Sequence, residues 1–149
     1  MKTYKIKPPT YLLIAILVAI ALHFIFPVMN IIPLPWTLLG IIPLAFGLVI
    51  NIRADQVFHK AKTPVCPFGT ASSLVTDDVY HLTRNPMYLG FVLILLGIAV
   101  LLGSLAPYVS VLAFTFLLDS MFIRVEEQKM STQFGLAWQA YKSQTRRWL

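Results

Sequence analysis

The residues able to do chemistry in this chain fall into four groups. The first is Thr83-Arg84-Asn85-Pro86-Met87-Tyr88-Leu89-Gly90, which leads into a long apolar run. Pro86 suits the first turn of a helix, where its missing N–H costs nothing. Asn85 then stands where a helix cap belongs. The free backbone N–H groups of such an end attract a carboxylate or phosphate. Arg84 adds a planar, bidentate donor for the same group, and Gly90 permits close approach by a helix or ligand. The plainer alternative is a well-capped helix with Arg84 reaching toward lipid headgroups. The second group is Asp119 with Arg124, Glu126 and Glu127. Asp119 and Glu126 are seven apart and share a face of a regular helix. Adjacent carboxylates there suit a ribose diol, an ammonium or a sulfonium. The alternative is that Asp119 pairs with a neighbouring base and Glu126 and Glu127 are solvated. The third group, Thr63 to Val75, is rich in Pro, Gly, Ser and Thr and reads as an ordered cover, with Phe68, Leu74 and Val75 dipping into a pocket or the bilayer surface. Its Cys66 is the sole cysteine, has no base at a fixed spacing, and reads as an incidental thiol. No Cys/His cluster points to a metal. The fourth group, Phe134-Gly135, Trp138, Tyr141 and Arg146-Arg147-Trp148, belongs to an expected amphipathic helix from Glu126 to Ser143, lying on or near a membrane with its basic tail on anionic lipid.

The elements that must position these groups are set by where charge is missing. Of 149 residues, 58% are hydrophobic and 12% charged, half the usual charge of a soluble domain. This excludes a disordered chain, a nucleic-acid-binding domain and an ordinary soluble enzyme. The net charge of +6 does not imply nucleic acid, because no charged side chain stands between Lys7 and Arg53 or between Arg84 and Asp119. Such gaps are of bilayer length. The expected fold class is therefore all-α: an integral membrane bundle of four transmembrane helices, about 10–28, 34–52, 87–103 and 106–123, in a single domain. A loop over 53–86 and a C-terminal helical segment over 124–149 complete it. A kink is expected near Pro43. Gly103 to Pro107 divide the third and fourth spans, and the last helix is expected to continue through Glu127. Lys2, Lys5 and Lys7 resemble a signal n-region, but the apolar run after them is long and lacks a small-x-small site, so it reads as a retained helix. All twelve Lys and Arg lie in the N-terminus, the 53–86 segment and the C-terminus, while the two other turns hold none. Both termini are therefore expected in the cytoplasm, with a bacterial inner membrane as the default location. His23 lies toward the outer side and reads as a helix-packing hydrogen-bonder.

From about Thr63 to Trp148 the chain resembles the isoprenylcysteine carboxyl methyltransferase and phospholipid methyltransferase superfamily. The resemblance is carried by Leu74-Val75-Thr76-Asp77-Asp78-Val79-Tyr80, by Arg84-Asn85-Pro86-Met87-Tyr88-Leu89-Gly90, by Glu126-Glu127, and by Phe134-Gly135 with Trp138, Tyr141 and Arg147. It implies an S-adenosylmethionine-dependent methyl transfer, with S-adenosylhomocysteine as product, to a lipophilic acceptor at the cytoplasmic face of the bilayer. It implies cofactor contacts from Ser73, Leu74, Val75, Tyr80, Asn85, Pro86, Met87, Tyr88, Glu126 and Glu127. Arg84 and Glu126 are the expected catalytic residues, and Arg124 an expected substrate contact. Three departures stand out. Asp78 occupies the place of a usual Gly, so the turn before Tyr80 is expected to differ. Asn85 replaces the His of the carboxyl methyltransferases, and Arg146 stands where a Pro often precedes the terminal Arg. Two other classes fit the residues: a four-helix transporter using Asp119, and an inert scaffold that retains the fold.

Overall fold

A computed structural model describes residues 7–26, 28–61 and 73–149. Helix α1, Pro8–Ile25, opens on two prolines in its first turn, where no N–H is needed. After an outer turn, a 3-10 segment at Trp36–Gly40 winds directly into α2, Ile41–Lys60. Pro43 thereby falls in the first turn of α2, where its missing N–H breaks no helical bond, so the structure shows a 3-10 entry to the span in place of the kink expected near Pro43. A short α3, Val79–Leu82, precedes α4, Pro86–Leu102. Helix α5, Pro107–Leu117, then passes through a π-helical segment at Leu118–Ile123 into α6, Arg124–Gln144. No strand occurs among the described residues; Asn30 and Ser104 form one isolated bridge. Three of these rods are long and apolar enough to cross a membrane, and Pro86–Leu102 is a shorter apolar helix.

One boundary differs from expectation. Helix α2 runs to Lys60 rather than stopping near residue 52, so part of the expected 53–86 loop is helix. Ala54, Val57 and Phe58 recur at helical spacing and pack on Val79 and Tyr80, which gives those turns an apolar face to bury. The final helix, Arg124–Gln144, agrees with the helix expected over Glu126 to Ser143. Its break is at Gly135, whose φ of 51° and ψ of −117° only glycine adopts without strain.

The bundle is held by close backbone approach and a shared apolar core. Helices α2 and α4 pack glycine to glycine in antiparallel register. A Cβ on Gly40 would lie 2.4 Å from the carbonyl oxygen of Gly97, and one on Gly47 would lie 2.5 Å from that of Gly90. Small residues at such contacts let membrane helices gain dispersion energy where water supplies no hydrophobic drive. Helix α1 lies on α5, where Ser110 Oγ donates to the Ala15 carbonyl over 2.8 Å. Leu95, Ala99, Phe114, Leu118 and Phe122 fill the centre. At the far end, Gly103 caps α4 in the left-handed conformation and its carbonyl accepts from Ile31 and Ile32 N–H. His23 Nδ1 lies 2.8 Å from Ser104 Oγ, the helix-packing role expected of it.

Candidate active site

The polar groups gather at the opposite end, where α4 begins and α6 leaves the apolar rod. The π segment decides which of them meet. Two regular α-turns take about seven residues, which would align Asp119 with Glu126. The π segment adds one residue, so two turns take eight. Asp119 and Glu127 therefore face the same way and share one partner, Arg147. Its Nη1 donates to Asp119 Oδ1 at 3.0 Å, while Nε and Nη2 grip Glu127 at 3.2 and 2.6 Å. The expectation that Asp119 and Glu126 share a face is thus corrected by one residue of register. Asp119 also takes Arg124 Nε at 2.9 Å, so the acid near the apolar boundary is doubly paired. Arg124 itself is mostly exposed.

Glu126 turns the other way, onto α4, and accepts the Tyr88 hydroxyl at 2.6 Å. Burial pushes its carboxyl up to about 7, against the opposing pull of Tyr88 and Lys129. Arg84 meets Glu127 through Nη2 at 3.2 Å and lies 5.7 Å from the centre of the Trp138 ring. Its side chain is only 7% exposed, yet Nε and Nη1 have no hydrogen-bond partner among the described residues. Buried donors left unmade are costly, and these two suit an anionic ligand group such as the carboxylate of a methionine moiety. Both Glu127 oxygens, in contrast, are engaged within the chain.

Asn85 does not cap α4 with its side chain, as was expected; none of its side-chain atoms bonds a first-turn N–H. Its Nδ2 instead donates to the Arg147 carbonyl at 3.0 Å, and Thr83 Oγ1 donates to the same oxygen at 3.0 Å. The Arg84 N–H donates to the Arg146 carbonyl. The chain's last residues thus return to the 83–85 turn as a strap, and Trp148 packs on the main core. Pro86 and Tyr88 are buried in the first turn of α4, with Met87 partly so. Tyr80 is buried against Phe58, and its carbonyl accepts the Tyr141 hydroxyl. Burial and the nearby Glu126 charge push the Tyr80 hydroxyl well up, so it stays protonated at neutral pH. Val75 packs on the Val79–Tyr80 cluster, Leu74 is half-buried and Ser73 exposed. Asp78 adopts φ 54° and ψ −124°, and Tyr80 N–H closes a turn onto the Asp77 carbonyl. This is the conformation that favours glycine at the second position of a type II′ turn, so the departure at Asp78 appears as strain in a glycine-type turn. Cys66, Phe68 and the rest of the expected cover at 62–72 lie outside the described residues.

The structure therefore brings Arg84, Glu127, Arg147 and Asp119 into one network, and Tyr88 with Glu126 into a second contact on the adjoining helix face. Arg147, Thr83 and Trp138 were not singled out as site residues by sequence reasoning. Arg147 and Trp138 lay inside the C-terminal motif, but nothing local in the sequence tells that the tail folds back.

A family model described as phospholipid methyltransferase matches residues 35–137. The chain belongs to the phospholipid methyltransferase family. Within related proteins, a protein-S-isoprenylcysteine O-methyltransferase of Schizosaccharomyces pombe is 38% identical over 72 residues, 46% of this chain. That alignment covers only 29% of the yeast protein, so the chain spans less than a third of it. An uncharacterised protein of Haemophilus influenzae is 35% identical over 63 residues, 42% of this chain and all of that protein. No solved structure matches the chain.

Proposed function

We propose that this family member is a membrane methyltransferase that uses S-adenosylmethionine and acts on a lipophilic acceptor at the cytoplasmic bilayer face. The observation that carries this reading is the buried Arg84 guanidinium with two unfilled donors, set beside the Tyr88–Glu126 contact at one end of an apolar bundle. The domain is the whole chain, with four spans and both termini in the cytoplasm. Arg84 holds the carboxylate of the cofactor, and Glu126, positioned by Tyr88, accepts from its ribose hydroxyls or its amino group. Ser73, Leu74, Val75, Asn85, Pro86, Met87 and Glu127 are the further cofactor contacts of this reading, with Glu127 acting mainly through Arg84. The cofactor supplies a methyl group activated on a sulfonium sulfur.

The residues here bind and orient rather than exchange protons with the reacting atoms. In-line transfer from a sulfonium loses charge at sulfur as it proceeds, so catalysis rests on positioning and exclusion of water. Tyr80 and Tyr88 offer aromatic faces to the cation, worth on the order of 0.5–2 kcal/mol. The acceptor reaches the site sideways from the bilayer, with Arg124 at its polar edge. The transporter reading has less support, since Asp119 is held by two arginines, whereas a carrier needs its acid free for the cargo.

Calorimetric titration of the detergent-purified protein with S-adenosylhomocysteine tests the proposal. Binding should be measurable in the wild type and weakened about tenfold or more by Arg84→Ala and by Glu126→Ala, each removing a charge-assisted contact. No binding by a folded wild-type sample at millimolar ligand overturns the cofactor assignment. Equal affinity in both variants overturns the site. Binding without methylation of any component of a lipid extract would leave the inert scaffold as the better description.

A further inference from the structure

A second polar site lies on the other side of Glu127. Where α6 bends at Gly135, its two arms form an open hollow of about 280 Å³. The first arm presents Arg124, Gln128 and Ser131, which recur at helical spacing on one face. The second arm presents Trp138 and Lys142, and Arg147 closes the floor. Glu126 and Tyr88 do not line this hollow, because Glu126 projects from a different face of the same helix. Arg124, Arg147 and Lys142 line it, and with Arg84 these four cations face two carboxylates: Asp119, paired with Arg124 and Arg147, and Glu127, shared by Arg84 and Arg147. Lys142 makes no ion pair with any described residue. The hollow therefore carries an unbalanced positive charge.

Its depth says which anion it meets. The apolar rod ends at Ile123 and the first lining residue is Arg124. Seven residues of α-helix, from Arg124 to Ser131, rise about 10 Å, the scale of a headgroup layer beyond the ~30 Å hydrocarbon core. A basic cleft at that level, with an indole beside it, is built for the phosphate of an inner-leaflet lipid. We propose that this hollow is an anionic-phospholipid site, separate from the cofactor site, in which Lys142, Arg124 and Arg147 hold one lipid phosphate. The inference rests on residues 107–123 spanning the bilayer and on the proposed cytoplasmic side of α6, and not on methyl transfer.

The test is native mass spectrometry of the intact protein released from nanodiscs of phosphatidylcholine mixed with phosphatidylglycerol. Wild type should retain phosphatidylglycerol, and Lys142→Glu should lose roughly fivefold or more of it, since a basic residue near the surface is worth about that factor. Lys142→Gln should lose a smaller share. Lys60→Glu, an equal charge reversal at the exposed end of α2, should leave retention unchanged. Equal retention by wild type and Lys142→Glu overturns the site, and so does equal loss in Lys142→Glu and Lys60→Glu, which would mean diffuse surface charge. Full displacement of the lipid by millimolar glycerophosphate also overturns it, because the hollow would then be a site for a free phosphate. Cofactor binding is not read in any arm, so failure here leaves the proposed enzyme untouched.

Discussion

At the scale of single residues, Glu126 and Asp78 make the sharpest demands. Glu126 is held near pH 7 by burial, with Tyr88 as its hydrogen-bond donor. Its carboxylate is the form that can accept from a ribose or pair with an ammonium. Affinity for S-adenosylhomocysteine should therefore rise as pH passes upward through about 7 in the wild type and stay flat there in Glu126→Gln, read by titration calorimetry across the pH range. Stability runs the other way. A carboxyl whose folded pKa is raised contributes stability that is fully present below its unfolded pKa of about 4.5 and lost as pH rises through the folded value. The ligand-free wild type should thus lose melting temperature relative to Glu126→Gln as pH rises from about 4.5 to about 7, and keep a constant offset above that. Asp78 holds a φ of 54°, and among the described residues its side chain makes an exposed Arg53 contact at 3.5 Å. An exposed pair adds little, whereas relief of a left-handed non-glycine residue gains about 1 kcal/mol. Asp78→Gly should raise the unfolding midpoint by that amount in a denaturant titration. A drop instead would mean that the Arg53 contact outweighs the strain.

At the scale of elements, the π segment at Leu118–Ile123 sets the register of every acid that follows it. Its extra residue was invisible in the sequence, because Leu-Asp-Ser-Met-Phe-Ile continues an apolar helical run with no proline or glycine to mark a change. A single-residue deletion there lets the rod become regular without turning α6, because the π turn already absorbs the surplus residue. Deleting Ser120 should hence keep S-adenosylhomocysteine affinity within about threefold of wild type. Inserting one alanine after Ser120 has no such slack and turns Glu126 and Glu127 by about 100°, so it should abolish measurable binding. The opposite pattern in those two variants would show that α5 and α6 are phased independently of the π turn. The same scale explains why α2 outran its expected end. Hydropathy stops at Ile52, but Ala54, Val57 and Phe58 find burial against α3, a partner that no local pattern reveals.

At the scale of the whole molecule, the chain's two ends of information meet in the strap. Residues 145–148 tie Thr83, Arg84 and Asn85 to the C-terminus, and Arg147 draws Asp119 and Glu127 together. Replacing Arg147 by Ala should cost about 1–3 kcal/mol, the loss of a partly exposed ion-pair network, and removing Arg147 to Leu149 should cost more, because Trp148 leaves the core with it; both should weaken S-adenosylhomocysteine binding through Arg84. Wild-type affinity in that truncation would detach the strap from the site. By itself the sequence determined the all-helical apolar rods, the hairpin at Gly103 to Pro107, and which segments carry the polar groups. Those features follow from charge-free stretches and punctuating Gly and Pro, because an unpaired charge in hydrocarbon is too costly for evolution to scatter at random. Only the tertiary structure decided which partner each charge takes: Asn85 with the tail rather than its own helix, Asp119 with Arg147 rather than alongside Glu126, Arg84 half-satisfied by Glu127. Such pairings depend on helix register and on contacts between residues some sixty positions apart, where a shift of one residue swings a side chain to another face.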